Sequence, residues 1–415
     1  MLSPSSRLER GGKGLSMISQ YARVNLLIGT GHFLSHFYQL CLPTLFVVLQ
    51  RQFNVSFAEL GLVVVLMTGT SAVFQTPIGF LVDRYGARHF LIGGALVMSL
   101  AISAMAFATA FWQILALALI SGVGNAVFHP CDYAILAGSI PPERMGRSFA
   151  LHSFTGNVGF VLAPPVVVAL SSMMDWHGVL FVVGGLGLPV VGALIFQSSI
   201  LHDQVPKKTT IRNMPVHELL LHPTLLLFFF FYFLGAMASG GVLAWLITVL
   251  HEVKGIDLAV ASLALTAYMA GNSAGVLLGG WVADRSARYL AIFVAGLTAF
   301  SAVTILVVDL LPMGGSAAIA LMFASGLCLG ASRTPRDVML KDAAPPGQIG
   351  KVFGFVSTGL PLGSAVTPVP FGFLIDHGHA ELVLILAAGF LLASILCMGS
   401  AKASASRDPL PAAAE

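Results

Sequence analysis

Twelve apolar runs, each close to the roughly 20 residues that a helix needs to cross a bilayer, constrain this chain more than any other feature. They cover residues 24–48, 57–81, 90–110, 114–137, 148–171, 179–200, 225–250, 258–282, 289–308, 317–340, 352–374 and 382–400. Short polar or Gly/Pro breaks separate them. Charged residues make up 9% of the chain and hydrophobic residues 57%, against about 25% charged in soluble domains. The expected fold class is therefore an all-α membrane protein with twelve transmembrane helices in two six-helix bundles.

The one long break, after the sixth run, is polar and basic and divides the chain into domains. A disordered N-terminal tail is expected over 1–20, a first bundle over 21–200, a linker over 201–223, a second bundle over 224–400 and a tail over 401–415. The Ser-, Gly- and Arg-rich start has no apolar signal-peptide core, and Met17 is an alternative start. Nearly all Lys and Arg fall on the side of the termini and the linker, leaving Arg51 and Lys254 for the other face. Both termini and the linker are accordingly expected to be cytoplasmic.

The halves repeat at a shift of about two hundred residues, the kind of internal symmetry sought before single motifs. Gly79, Asp83 and Arg84 recur as Gly280, Asp284 and Arg285; Pro130-Cys131-Asp132 as Pro335-Arg336-Asp337; Gly159 as Gly363; Pro164 as Pro368. Parallel repeats place a binding site between the halves near mid-bilayer.

Polar chemistry concentrates between residues 125 and 165. Asn125, His129 and Asp132 are four and three residues apart, a spacing that gives one helical face, and His32 and His36 are likewise i, i+4 on the first helix. His152 and Asn157 follow on the fifth. Ionisable groups at membrane depth usually face a protein interior or a watery cavity, and histidine titrates near neutral pH. The set is expected to form a substrate or proton pathway, although any one of these histidines can equally serve only to hydrogen-bond a neighbouring helix. Pro130 frees the carbonyl of Ala126 and marks a kink. On the tenth helix stand Arg333, Arg336 and Asp337, read as an ion-pair gate, Arg333 and Asp337 being four apart, with Arg333 the residue for an anionic substrate.

The stretches GFLVDRYGAR from Gly79 to Arg88 and GWVADRSAR from Gly280 to Arg288 resemble motif A of the major facilitator superfamily, once per half. That resemblance implies a cytoplasmic gate formed by Gly79, Asp83, Arg84, Arg88, Gly280, Asp284 and Arg285. The glycines would admit a close neighbour, the acids would accept hydrogen bonds at a helix N-terminus, and the arginines would pair with carboxylates or lipid phosphate. As plain topology, Arg84 and Arg88 also serve as positive anchors. The Phe128-His129-Pro130 turn and Gly156-Asn157-Val158-Gly159 are similar to the branch that includes the fosmidomycin-resistance exporters, as is His32 in GTGHFLSHFYQ. The chain departs from that branch in placing Cys131 before Asp132. Gly156, Gly159 and Pro164-Pro165 resemble a degraded antiporter motif C, and the same spacing also suits close helix packing.

The resemblance implies that the first and fourth helices line a central cavity, and that the chain is a secondary transporter of a small organic compound working by alternating access. Proton-coupled export is the leading expectation; uptake or exchange of a small organic anion, and a non-transporting membrane sensor or scaffold, are the alternatives. No phosphate-cradling loop with Lys, nucleophile elbow or zinc spacing occurs, so neither an enzyme, a cofactor nor a metal is expected, with a proton gradient as energy source. The formal charge of +3 gives no compact basic domain for nucleic acid. Cys41, Cys131, Cys328 and Cys397 read as packing residues. The expected partners are the substrate, protons and lipids, and the expected setting is a monomer in a bacterial inner membrane.

Overall fold

The computed structural model describes residues 4–202, 221–285, 289–343 and 349–407, some of them, among which are 4–19, Asp83, 283–285 and 401–407, as backbone only. Among the described residues, 12 helices are long and apolar enough to span a membrane. We number them α1 (Gln20–Phe53), α2 (Phe57–Gly79), α3 (Ala87–Met105), α4 (Phe111–Ser139), α5 (Arg147–Ser171), α6 (Trp176–Phe196), α7 (Pro223–Val253), α8 (Leu258–Val282), α9 (Leu290–Leu310), α10 (Gly315–Ala343), α11 (Phe355–Asp376) and α12 (Glu381–Ser400). The helix containing α1 begins at Pro4. Residues 203–220, most of the expected linker, lie outside the described residues.

Each span satisfies its own backbone hydrogen bonds, which is why apolar runs of this length fold as helices in lipid. Local chemistry sets their ends. Ser56 and Glu59 form a reciprocal capping box at the start of α2, the Ser56 side chain accepting from Glu59 N–H at 3.1 Å and Glu59 accepting from Ser56 N–H at 2.8 Å. Between α2 and α3, Gly86 adopts φ 89°, ψ 151°, a region open essentially to glycine. The second glycine of the GFLVDRYGAR stretch is thus the one residue that can make this turn cheaply.

The packing repeats as the sequence does. In the first half α1 packs on α5, α2 on α4 and α3 on α6; in the second α7 packs on α11, α8 on α10 and α9 on α12. The equivalence reaches single residues: Gly159 lies against the Phe33 carbonyl of α1, and its counterpart Gly363 against the Phe233 carbonyl of α7. Small residues let backbones approach where lipid supplies no hydrophobic drive for association.

Between the halves, α2 meets α11 and α5 meets α8. At the end where α1 passes into α2 the seam is tight. Asp376 accepts from the N–H groups of Phe57 at 2.6 Å and Ala58 at 2.8 Å, capping α2 from the other half. The rings of Phe46 and Phe57 sit 5.2 and 5.9 Å from that of Trp245, and Arg51 pairs with Glu252 at 3.5 Å. A Cβ added at Gly61 would fall 2.5 Å from the Pro368 carbonyl oxygen.

Candidate functional site

Away from that seam the halves enclose a cavity of about 390 Å³, within the size range of small-molecule sites, lined by residues of α1, α2, α4 and α5 on one wall and of α7, α9, α10, α11 and α12 on the other. Its polar lining includes His36, Gln39, Ser71, Gln75, Asn125 and His129 from the first half, and Ser239, Ser332, Arg333 and Arg336 from the second.

The first-half wall is a network of imidazoles. His32 Nδ1 lies 2.8 Å from the His152 carbonyl oxygen, and the two rings stack with centroids 3.7 Å apart and 6° between planes. His36 stands 4.4 Å and His129 5.3 Å from the His32 ring. Behind them His152 Nε2 and Asp132 Oδ2 are 2.9 Å apart, both side chains buried to within a few per cent. The Asp132 Oδ1 atom is buried with no hydrogen-bond partner among the described residues. Asn125 accepts from Ser35 at 2.6 Å and donates to Ser71 at 3.2 Å, tying α1, α4 and α2 together.

This arrangement splits the continuous stripe expected on α4. Asn125 and His129 face the cavity, whereas Asp132 is fully buried behind it on His152. The helix is interrupted at residues 126–127, between Phe111–Asn125 and Phe128–Ser139, where Pro130, lacking an N–H, can donate no hydrogen bond to the Ala126 carbonyl. Asn125 and His129 lie on either side of the interruption and still share the cavity wall, so it is the contact with His152 of α5 that takes Asp132 off the stripe. Asn157, half-buried, does not line the cavity. Gly156 packs against the His32 ring, where a Cβ would meet Cε1 at 2.6 Å, so close packing accounts for the spaced glycines of α5.

On the second-half wall the expected Arg333–Asp337 pair is replaced by another. Asp337 accepts from Arg336 at 2.9 Å and from the Tyr232 hydroxyl at 2.6 Å, and the Arg336 guanidinium lies 3.8 Å from the Tyr232 ring centroid, a cation–π contact. Tyr232 on α7 captures the carboxylate sideways, so the i, i+4 partner loses it. Arg333 makes none of the ion pairs within 4 Å among the described residues and remains a cation facing the cavity. Nor does either arginine meet Asp132, which has His152 instead.

At the expected gate, the side chains of Asp83, Asp284 and Arg285 lie outside the described residues. Gly79 touches Pro130, a Cβ there falling 3.9 Å away, but a Cβ at Gly280 would meet open space. Contact at 3.9 Å is ordinary, so close approach requires neither glycine. Arg84 is exposed and lies 5.2 Å from the Tyr85 ring, and Arg88 donates to the Ser198 carbonyl at 3.2 Å.

Ser35, Gln39, Ser71, Gln75, Tyr232 and Ser239 were not among the residues the sequence reading selected. A signal for some of them was available: His32, Ser35, His36 and Gln39 fall at i, i+3, i+4 and i+7 on α1, and Thr68, Ser71, Ala72 and Gln75 repeat that spacing on α2.

The profile of the Major Facilitator Superfamily matches residues 28–262 and again 225–414. The chain belongs to this superfamily. It is an integral membrane transporter by family and fold and not an enzyme. Among curated relatives, the fosmidomycin resistance protein of Escherichia coli K12 is 26% identical over 89% of this chain and 90% of its own length. The D-galactonate transporter of Escherichia coli O6:H1 is 24% identical over 58% of this chain and 61% of its own. A crystal structure of a bacterial homologue of the human lysosomal transporter Spinster, inward-facing and occupied, superposes with a TM-score of 0.80 at 15% identity, covering 94% of this chain and 98% of that one. That likeness bears on the fold alone.

Proposed function

We propose that this protein is a proton-coupled secondary transporter of a small organic anion, working by alternating access as a monomer in a bacterial inner membrane, with export as its direction. The observation that carries the reading is the two-walled cavity: Arg333, which makes none of the ion pairs within 4 Å among the described residues, supplies a cation on one wall, while the other wall backs onto a buried carboxylate, Asp132. A permanent charge selects an anion. A carboxylate held at membrane depth, with one oxygen on His152 and the other free, is a group whose protonation can change as the cavity changes exposure. The similarity to a fosmidomycin resistance protein favours export, and that to a D-galactonate transporter supports uptake of an organic acid as the second reading.

Everted vesicles holding a preset pH gradient, acid inside, provide the test. A panel of phosphonates, sugar acids and other small carboxylates is added, and luminal pH and labelled compound are followed together. Proton release from the lumen coupled to compound uptake is the result expected for export. Co-movement of both in the same direction transfers the protein to the second reading, and no coupling with any transported anion sinks the proton assignment. The basic asymmetry of the loops supports cytoplasmic termini. A reporter fused after Lys207 should then read cytoplasmic and one after Asp175 periplasmic, and opposite readings would overturn the orientation.

A further inference from the structure

His32, His36 and His129 converge in a way that neither the transport cycle nor helix packing requires. One ring nitrogen from each lies within 4.8 Å of the other two. The nitrogens left without a hydrogen-bond partner among the described residues are Nε2 of His32 and Nδ1 of His36 and of His129, all three buried. Unpaired buried imidazole nitrogens carry a desolvation cost, and three imidazoles that converge on one volume, each with such a nitrogen, offer the donor set of a tris-imidazole metal site. We propose that these three histidines bind a divalent first-row transition ion of the zinc or cobalt type, leaving a coordination position open to the central cavity.

The chemistry and the surroundings agree. Neutral imidazole suits zinc, copper, nickel and iron, and three protein ligands with a vacant fourth position make an open tetrahedral site. His32 is oriented as a ligand should be. Its Nδ1 lies 2.8 Å from the His152 carbonyl oxygen; donating there, it leaves the Nε2 lone pair free, the usual outer-shell arrangement for a metal-bound histidine. Gly156 leaves just enough room for that ring, since a Cβ would come within 2.6 Å of Cε1. His152 stacks on His32 and holds Asp132, bringing a carboxylate into the layer behind the ligands.

Metal–nitrogen bonds of about 2.0–2.1 Å at tetrahedral angles put the nitrogens about 3.4 Å apart, so loading draws the rings inward. His36 and His129 line the cavity, hence the fourth position faces it, with Arg333 across the same space. An oxygen-donor anion can then be held between the metal and the guanidinium. The site is proposed independently of transport direction and proton coupling.

The experiment is a Co2+ titration of the purified full-length protein in detergent, carrying no affinity tag, followed by visible absorption and by competition with Zn2+. One equivalent of Co2+ with the intense bands of a tetrahedral complex, displaced by Zn2+, is expected. Loss of an outer-shell partner of a metal costs about 10–100-fold in affinity, so His36→Ala and His129→Gln should each weaken binding at least that much and abolish the tetrahedral bands. Size-exclusion profile and melting temperature establish that each variant is folded, and His36→Ala alone decides the matter should His129→Gln not fold. The double variant His177→Gln/His379→Gln removes exposed imidazoles beside Asp175 and Glu381 and should leave the site intact. The proposal is overturned if no equivalent binds, if a folded cluster variant binds Co2+ like the parent, or if only the surface variant loses binding.

Discussion

Asp132 and Asp337 occupy equivalent positions in the two repeats, and they have been put to opposite uses. Asp132 is fully buried and bonded to the His152 ring. Asp337 is about two-fifths exposed and bonded to Arg336 and Tyr232, an arginine being a permanent cation. One place in the repeat thus holds a carboxylate on a histidine in the first half and a carboxylate on an arginine and a tyrosine in the second. Symmetry of backbone is kept to the level of Gly159 and Gly363, while symmetry of chemistry is given up where the cavity begins. On the proposed function that division has a use, because substrate recognition needs a charge that stays and coupling needs one that does not.

The largest effect should come from removing the variable charge. Asp132→Asn keeps the shape and the contact with His152 but cannot ionise, so accumulation of substrate against its gradient is expected to vanish while exchange down the gradient continues. Proteoliposomes loaded with labelled substrate measure both. Normal accumulation in this variant would break the comparison, leaving Asp132 as structural as Asp337.

On the second-half wall, Arg333→Gln removes the cation that faces the cavity. A hydrogen bond to a charged group is worth about 1.5–3 kcal/mol, so the dissociation constant for an anionic substrate should rise by about 10–150-fold with folding unaffected, as read by equilibrium binding. Asp337→Asn acts differently: it leaves Arg336 and the Tyr232 hydroxyl without their carboxylate. Breaking such a half-exposed pair should lower stability by about 1–3 kcal/mol, visible as a reduced melting temperature, with binding changed less than by Arg333→Gln. If the order of the two binding effects is reversed, Arg336 and not Arg333 is the recognition group.

A smaller effect is expected at the seam. Asp376 caps α2 across the halves, a contact available only while that end is closed. Caps contribute about 1 kcal/mol, so Asp376→Ala should move the conformational equilibrium roughly fivefold toward opening at that end. Accessibility of a cysteine introduced at Val64, which lines the cavity three residues beyond the tight contact at Gly61, reports the shift; an unchanged labelling rate would show that the cap does not bias the cycle.

The helices were legible because a single physical demand, about 20 apolar residues per crossing, is met locally; the run read at 289–308, for instance, is the span Leu290–Leu310. The site was legible in its residue types and only partly in its pairing. His32 and His36 fall on one face because α1 is regular there. The contact of His152 with Asp132 joins two helices through an intervening turn and has no period to betray it. Tyr232 is one aromatic among many in an apolar run, and nothing in its spacing announces that it takes Asp337 from Arg333. The interruption at Ala126 was foreshadowed by Pro130, whereas the turn of Asp132 away from the cavity depends on His152 of another helix.

The mildest prediction supplies a reference for both aspartates, from a carboxylate in water. Asp175 caps the helix at Trp176–Gly185, accepting from Gly178 N–H at 2.9 Å, with His177 3.0 Å away. Those two contacts, the backbone N–H first, hold its pKa below the ordinary value of 3.8. A depressed folded-state pKa stabilises the protein above the unfolded-state value and ceases to as pH falls through the folded one. Asp175→Asn, itself a competent cap, isolates the charge. The parent should melt slightly higher than the variant at neutral pH, and the gap should close only as pH drops below about 3.8. Salt should shrink the gap at neutral pH, since the group is exposed. A gap that persists at low pH, or ignores salt, would mean that the hydrogen-bonding geometry and not the charge of Asp175 sets the start of α6, and the water-exposed end of the scale on which Asp132 and Asp337 are compared would have to be redrawn.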